Sequence, residues 1–200
     1  WSVAVESDAT RLAHFPGAVV TLRPLFGSIE AYDASNGRSL WGGPVSEEVE
    51  GARAELVPAD SGLYLDVDTQ AADGTELVSR LLKLDPETGA RLMEIDLARA
   101  PGLNVQSVIT VRTAANGDLW IYTNDASTVD PMRQLRAQRW AGGGTMVDEH
   151  VIQVGTDVVG DWRVSTSVGQ QGSFAIEKNL GLVAELLAIN VETAELQWSR

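Results

Sequence analysis

The feature that most constrains this 200-residue chain is a repeat. The stretch Ala31 through Trp41, containing Asp33, Asn36 and Gly37, aligns with Lys83 through Met93 and again with Ala188 through Trp198. A worn copy, Ala137 through Val147, falls between them. The last positions of the four copies, 41, 93, 147 and 198, are 52, 54 and 51 residues apart. Trp1 lies 40 residues before Trp41 and would close a preceding unit. Four units near 50 residues account for the whole chain, and periods of that size mean stacked supersecondary units.

Each unit has a physical reading. An alternating strand such as Ser28 to Tyr32 runs into an Asp-x-x-[Thr/Asn]-Gly turn. The carboxylate of Asp33 can accept backbone N–H groups two or three residues on, and Asp85 and Asn190 stand at the same place in their copies. Gly37 and Gly89 can take positive φ without a Cβ clash. A second strand then returns to a large apolar residue four past the glycine: Trp41, Met93 or Trp198. In the worn copy Gly143 and Val147 hold these places. A solitary hairpin is marginal in water, so such units must stack.

The rest of the chain reads as strands. Ala18–Leu22, Leu63–Asp68, Val105–Thr113 and Leu119–Thr123 are apolar, alternating or β-branched. Asn36-Gly37, Asp73-Gly74, Asn116-Gly117, Gly142-Gly143-Gly144 and Gly160-Asp161 punctuate them, the pattern of an all-β sandwich, barrel or propeller. Glu47–Leu56 and Leu180–Leu187 have the composition of short helices but strand-like flanks. Four strands in about 50 residues is the size of a propeller blade.

The motif Ala31-x-Asp33-x-x-Asn36-Gly37-x-x-x-Trp41 resembles the repeat of quinoprotein-like propellers, the pyrroloquinoline-quinone dehydrogenases and their non-catalytic relatives. The resemblance implies an all-β propeller of about four blades of four antiparallel strands. That is either a closed four-blade ring or half of a seven- or eight-blade ring. Seven or eight blades would take roughly 350–400 residues at this period. The approximate blades are 1–41, 42–93, 94–147 and 148–198 of a single domain spanning 1–200. It also implies that the glycine and tryptophan of successive blades dock in a girdle around the propeller, with Gly37 and Trp41 as a docking pair and Ala194 and Trp198 as a weakened one. The pairs Gly89–Met93 and Gly143–Val147 lack the aromatic.

Composition narrows the function. Acids number 28 against 15 bases, a net charge of -13. That disfavours nucleic acid and an anionic membrane surface. There is no cysteine, so thiolate metal sites, cysteine nucleophiles and the vicinal cysteine pair common in quinone enzymes are absent. No apolar run approaches the roughly 18 residues of a membrane span. The chain starts at Trp1 and reads as a piece of something longer.

Other candidate sites have plain readings. His14 and His150 have no metal-ligand spacing and are expected on the surface or on strands. Asp66 and Asp68 share a strand face and could share a cation with Gln70, but Ala71 stands where a calcium loop needs glycine. A solvated strand face is the expectation. Glu47-Glu48-x-Glu50 reads as an acidic loop, and Gly142-Gly143-Gly144 as a hairpin turn without the Lys-Ser/Thr of a phosphate cradle. Of the six tryptophans, Trp1, Trp41 and Trp198 close blades and Trp120 sits in an apolar strand, so all four read as core. Trp140 and Trp162 are expected to pack between blades, the alternative being exposed aromatics on a loop face that would suit a binding site.

The expected function is therefore a non-catalytic interaction, scaffold or sensor propeller without cofactor or metal. Its protein partner is unspecified, a homodimer is one option, and it would lie on the periplasmic or extracellular face in a larger bacterial protein. The alternatives are a fragment of a quinone- and calcium-dependent dehydrogenase, or a propeller that binds a small ligand.

Overall fold

A computed structural model describes residues 11–23, 28–45, 53–70, 77–97, 103–127, 133–142, 144–155, 161–164, 172–179 and 184–200. The described residues form sixteen strands and no helix. Blade 1 is β1 (Arg11–Phe15), β2 (Ala18–Arg23), β3 (Ser28–Asp33) and β4 (Ser39–Pro44). Blade 2 is β5 (Arg53–Val57), β6 (Leu63–Gln70), β7 (Leu77–Leu84) and β8 (Arg91–Asp96). Blade 3 is β9 (Leu103–Thr113), β10 (Leu119–Ser127), β11 (Arg133–Ala141) and β12 (Thr145–Gly155). Blade 4 is β13 (Asp161–Val164), β14 (Ser173–Asn179), β15 (Ala184–Asn190) and β16 (Leu196–Ser199).

Each blade is an antiparallel meander whose strands pair in chain order, the form of a propeller blade. The helical composition of Glu47–Leu56 and Leu180–Leu187 gives way to strands at Arg53–Val57 and Ala184–Asn190. The blade limits at 41, 93 and 147 fall inside β4, β8 and β12, because the motif's last residue lies within the fourth strand rather than at its end. β12 overruns its limit furthest, to Gly155.

Two compact units result. The first holds blades 1 and 2 over a core of Val20, Leu22, Ile29, Ala31, Leu63, Leu65, Leu82 and Leu84, with Trp41 packed against it. These residues alternate along their strands, so one face of each sheet is apolar and the two faces bury each other. The second holds blades 3 and 4 with the short segment Pro58–Ser61. Its core includes Trp120, Tyr122, Leu135, Phe174, Ile176, Leu187 and Ile189. Pro58–Ser61 is held to β9 by a parallel bridge, Ala59 to Val111. The Pro58 carbonyl accepts from Thr110 Oγ1 at 2.7 Å and from the Val111 N–H at 3.1 Å.

All four blades share one irregularity. Each fourth strand carries an extra residue just after the turn: Leu40, Leu92, Val147 and Gln197. Such a bulge bends and twists a strand and spoils the edge for pairing with another chain.

Candidate functional site

Three of the four repeat turns are built alike. In blade 1 the Asp33 N–H reaches the Arg38 carbonyl at 2.8 Å, and the Gly37 N–H reaches the Asp33 carbonyl at 2.8 Å. Asp85 with Gly89 and Ala90, and Asn190 with Ala194 and Glu195, repeat both bonds at 2.8–3.0 Å. The first motif side chain caps the turn from inside. Asp85 Oδ1 accepts the N–H groups of Glu87 and Thr88, and Asn190 Oδ1 those of Glu192 and Thr193. Asp33 Oδ1 accepts the N–H and hydroxyl of Ser35. The fourth motif position caps from the other end: Asn36 accepts from Arg38, Thr88 from Ala90 and Thr193 from Glu195. This double cap is why the motif reads Asp/Asn, two free positions, then Asn/Thr.

The fifth position is left-handed in all three turns, with φ of 75° at Gly37, 72° at Gly89 and 57° at Ala194. Ala194 pays strain that the glycines avoid. The caps also act on ionisation. The Ser35 hydroxyl and N–H hold the Asp33 carboxyl below the usual range. The Thr88 and then the Glu87 N–H do the same for Asp85.

Trp41 docks one blade on, as expected of successive blades, but its glycine is Gly89 rather than the expected Gly37. Its Nε1 donates to the Pro86 carbonyl at 3.0 Å. A Cβ on Gly89 would lie 2.7 Å from the indole. The aromatic that the Gly89–Met93 copy lacks is thus supplied by the preceding blade. Blades 3 and 4 solve the same problem differently. Trp120, from a second strand, donates to the Glu192 carbonyl in the blade 4 turn at 3.2 Å. His150 lies against the Trp120 ring, centroids 5.3 Å apart.

The worn copy is a shorter turn. The Gly144 N–H reaches the Ala141 carbonyl at 2.9 Å, and Gly144 takes φ of 79°. Register then pairs Trp140 with Met146 and Arg139 with Asp148, leaving Val147 as the bulge. Asp148, not Val147, is therefore the counterpart of Trp41: the pair before the bulge, Trp140 with Met146, encloses five residues where the other three turns enclose six, which shifts the alignment by one. Gly143 lies outside the described residues. So do Trp1, Asp73-Gly74 and the acidic run at 47–50, and the side chains of Gln70 and Trp162 are likewise outside the description.

Four further expectations change or hold. Trp198 is 48% exposed, not core. Trp140 is buried and donates to Gln138 Oε1 at 3.2 Å. Asp66 is buried rather than on a solvated face, and Asp68 accepts from the Ser79 hydroxyl at 2.6 Å. His14 and His150 both lie on strands, His14 exposed. Among the described residues no three metal-ligating side chains converge.

The described concave surface with the best claim to bind something lies in the first unit. A cleft of about 320 Å³ opens where β4 diverges from β7 and the turn to β8. Trp41, Ile29, Leu82, Leu84 and Val45 line it, with Thr88 and Arg91 also in the wall. Gly43 pairs with Ile29 and a Cβ there would touch nothing, so the missing side chain leaves the wedge open. Arg91 is paired with Glu94 at 2.7 Å. The cleft can take an apolar group, but its lining holds no acid or base for proton transfer.

Sequence reasoning missed the charged interior of the second unit. Arg136 is buried between Asp125, at 2.5 Å, and Glu149. Burial pushes the Asp125 carboxyl up, and Arg136 opposes that shift. Arg112 lies over the Phe174 ring at 4.6 Å, and desolvation lowers its affinity for a proton. Tyr122 meets Phe174 edge-on at 5.0 Å, and burial pushes its phenol up. The period-two placement of Arg112, Arg136 and Asp125 among apolar neighbours was the available signal.

No protein-family profile matches the chain, and no curated protein does. Solved structures do resemble it distantly. A protein of unknown function from Bacteroides caccae is 11% identical over all of this chain and 84% of its own, with a TM-score of 0.37. Dihydro-heme d1 dehydrogenase NirN is 15% identical over 92% of this chain and 45% of its own, at 0.38. Apo AztD from Citrobacter koseri is 8% identical over 94% and 71%, at 0.32. These likenesses are too remote to assign a family or an activity.

Proposed function

We propose that this chain is a non-catalytic propeller module of the quinoprotein-like kind that works by binding other proteins. It would do so on the periplasmic or extracellular side of a larger bacterial protein. One observation carries the reading: the repeat spends its polar side chains on itself. Asp33, Asp85 and Asn190 cap their own turns, and Trp41 is committed to the next blade. The fourth strands expose the apolar Leu40, Leu92 and Val147 among charged neighbours such as Arg91, Glu94, Asp148 and Glu149. Apolar residues on an acidic protein suit a protein partner better than nucleic acid. No helix among the described residues is long and apolar enough to cross a membrane.

The cleft beside Trp41 favours a second reading, a propeller that binds a small apolar ligand. Quinone chemistry has a direct test. Titrating pyrroloquinoline quinone with calcium ions should leave tryptophan fluorescence and melting temperature unchanged. A saturable rise in melting temperature that needs both would overturn the non-catalytic reading, because a ligand of the native state must stabilise it.

A further inference from the structure

Register gives every blade a comparable place on its fourth strand. Two residues beyond Trp41, Met93, Asp148 and Trp198 stand Gly43, Ile95, His150 and Arg200. Three blades put a side chain there and blade 1 puts none. Ile95 is 2% exposed. His150 lays its imidazole against the indole of Trp120, the ring that docks blade 3 on blade 4. Gly43 continues the row Leu22–Ile29 across blade 1. Both of those residues are core, so a side chain at Gly43 would face blade 2, beside Trp41 in the wall of the cleft. A Cβ on Gly43 would meet nothing within 4 Å. Gly43 is not left-handed either, so backbone conformation does not call for the glycine.

We propose that this cleft binds a small, neutral, flat aromatic molecule with a hydrogen-bond acceptor on its edge. The ring lies beside Trp41 as the His150 ring lies beside Trp120. This names the ligand class for the small-ligand reading above, and rests on that reading. A volume of about 320 Å³ is at the lower end for ligand sites and suits one ring or two fused rings. Ile29, Val45, Leu82 and Leu84 in the wall are buried and apolar. A ring against an indole gains more than its buried area alone would give. The polar side chains of the wall are donors. Arg91 gives Nη1 to Glu94 at 2.7 Å, and its guanidinium has further N–H groups to offer. Thr88 Oγ1 accepts from the Ala90 N–H at 3.3 Å, which leaves the hydroxyl proton to donate. A carbonyl or ring nitrogen can take up either donor. A neutral acceptor fits best, because Glu94 already matches the guanidinium charge.

Two probes test it: nicotinamide, a flat ring with a carbonyl, and cyclohexanecarboxamide, which has the carbonyl without the flat ring. The readout is the set of six indole N–H signals in a ¹H–¹⁵N correlation spectrum of the 200-residue chain. The Trp41 signal is the one lost in Trp41→Phe. Nicotinamide should shift it saturably and bind at least about fivefold more tightly than cyclohexanecarboxamide. Gly43→Ile supplies the side chain that blade 2 carries, so it should abolish the shift and raise the melting temperature. Arg91→Met should weaken nicotinamide about fivefold, the loss of one hydrogen bond, without unfolding the chain. No saturable shift with either probe overturns both the small-ligand reading and this proposal. Equal affinity for the two probes, nicotinamide binding that survives Gly43→Ile, or binding indifferent to Arg91→Met overturns the proposal and leaves the small-ligand reading standing.

Discussion

At the scale of single residues, the repeat turn separates the two reasons for a small residue. Gly89 has both a left-handed backbone and an indole where its Cβ would be. Gly89→Ala should cost about 2–4 kcal/mol, part conformation and part clash. In a Trp41→Ala background only the conformational part should remain, so a double-mutant cycle by denaturant unfolding should give a coupling of about 1 kcal/mol or more. Ala194 adopts the same conformation while fully buried. There Ala→Gly relieves about 1–2 kcal/mol of strain but loses a buried methyl and frees the unfolded chain, each about 0.5–1 kcal/mol. The net change should lie within about 0.5 kcal/mol of zero. Asp85 supplies a pH dependence. Its folded carboxyl binds a proton less tightly than the unfolded one. Its stabilisation is therefore complete above the unfolded pKa near 4 and is lost as pH falls through the lower folded value. Asp85→Asn should keep the turn, as Asn190 does, and flatten the fall in melting temperature between about pH 5 and 3.

At the scale of elements, the bulge sets which way the fourth strand faces. Removing one residue from a strand reverses every side chain beyond it. Deleting Leu40 should turn Trp41 away from Gly89 and cost at least as much as Trp41→Ala, whereas Leu40→Lys should stay within about 0.5 kcal/mol. Thermal unfolding of the three variants decides it. The strands and the Asp-x-x-[Thr/Asn]-Gly turns were legible in the sequence because period two and local capping are properties of a few neighbouring residues. The bulge was not, since an extra residue looks like any other until the partner strand is known. That is why Val147 was aligned with Trp41 when Asp148 holds the place. Trp120 taking the docking role in blade 3 was equally hidden, because its acceptor, the Glu192 carbonyl, lies 72 residues away. The cleft was invisible because its walls come from residues as far apart in the chain as Ile29 and Arg91.

At the scale of the whole molecule, charge and buried ions dominate. A net charge of -13 repels itself, so moderate salt should raise the melting temperature. Arg136 works against that trend locally, since its pair with Asp125 is buried and little screened. Arg136→Ala should cost about 3–5 kcal/mol by leaving Asp125 charged and alone, while Arg136→Met with Asp125→Leu should recover most of it. Equilibrium unfolding of the single and double variants measures both. The reach of Trp41 into the next blade has an evolutionary consequence as well. A blade copied within a gene arrives carrying both a tryptophan that seeks a glycine turn and a glycine turn that receives a tryptophan. Tandem duplication then lengthens the array without inventing a new contact, and where one end diverges, as at Asp148, a different side chain such as Trp120 takes over the docking.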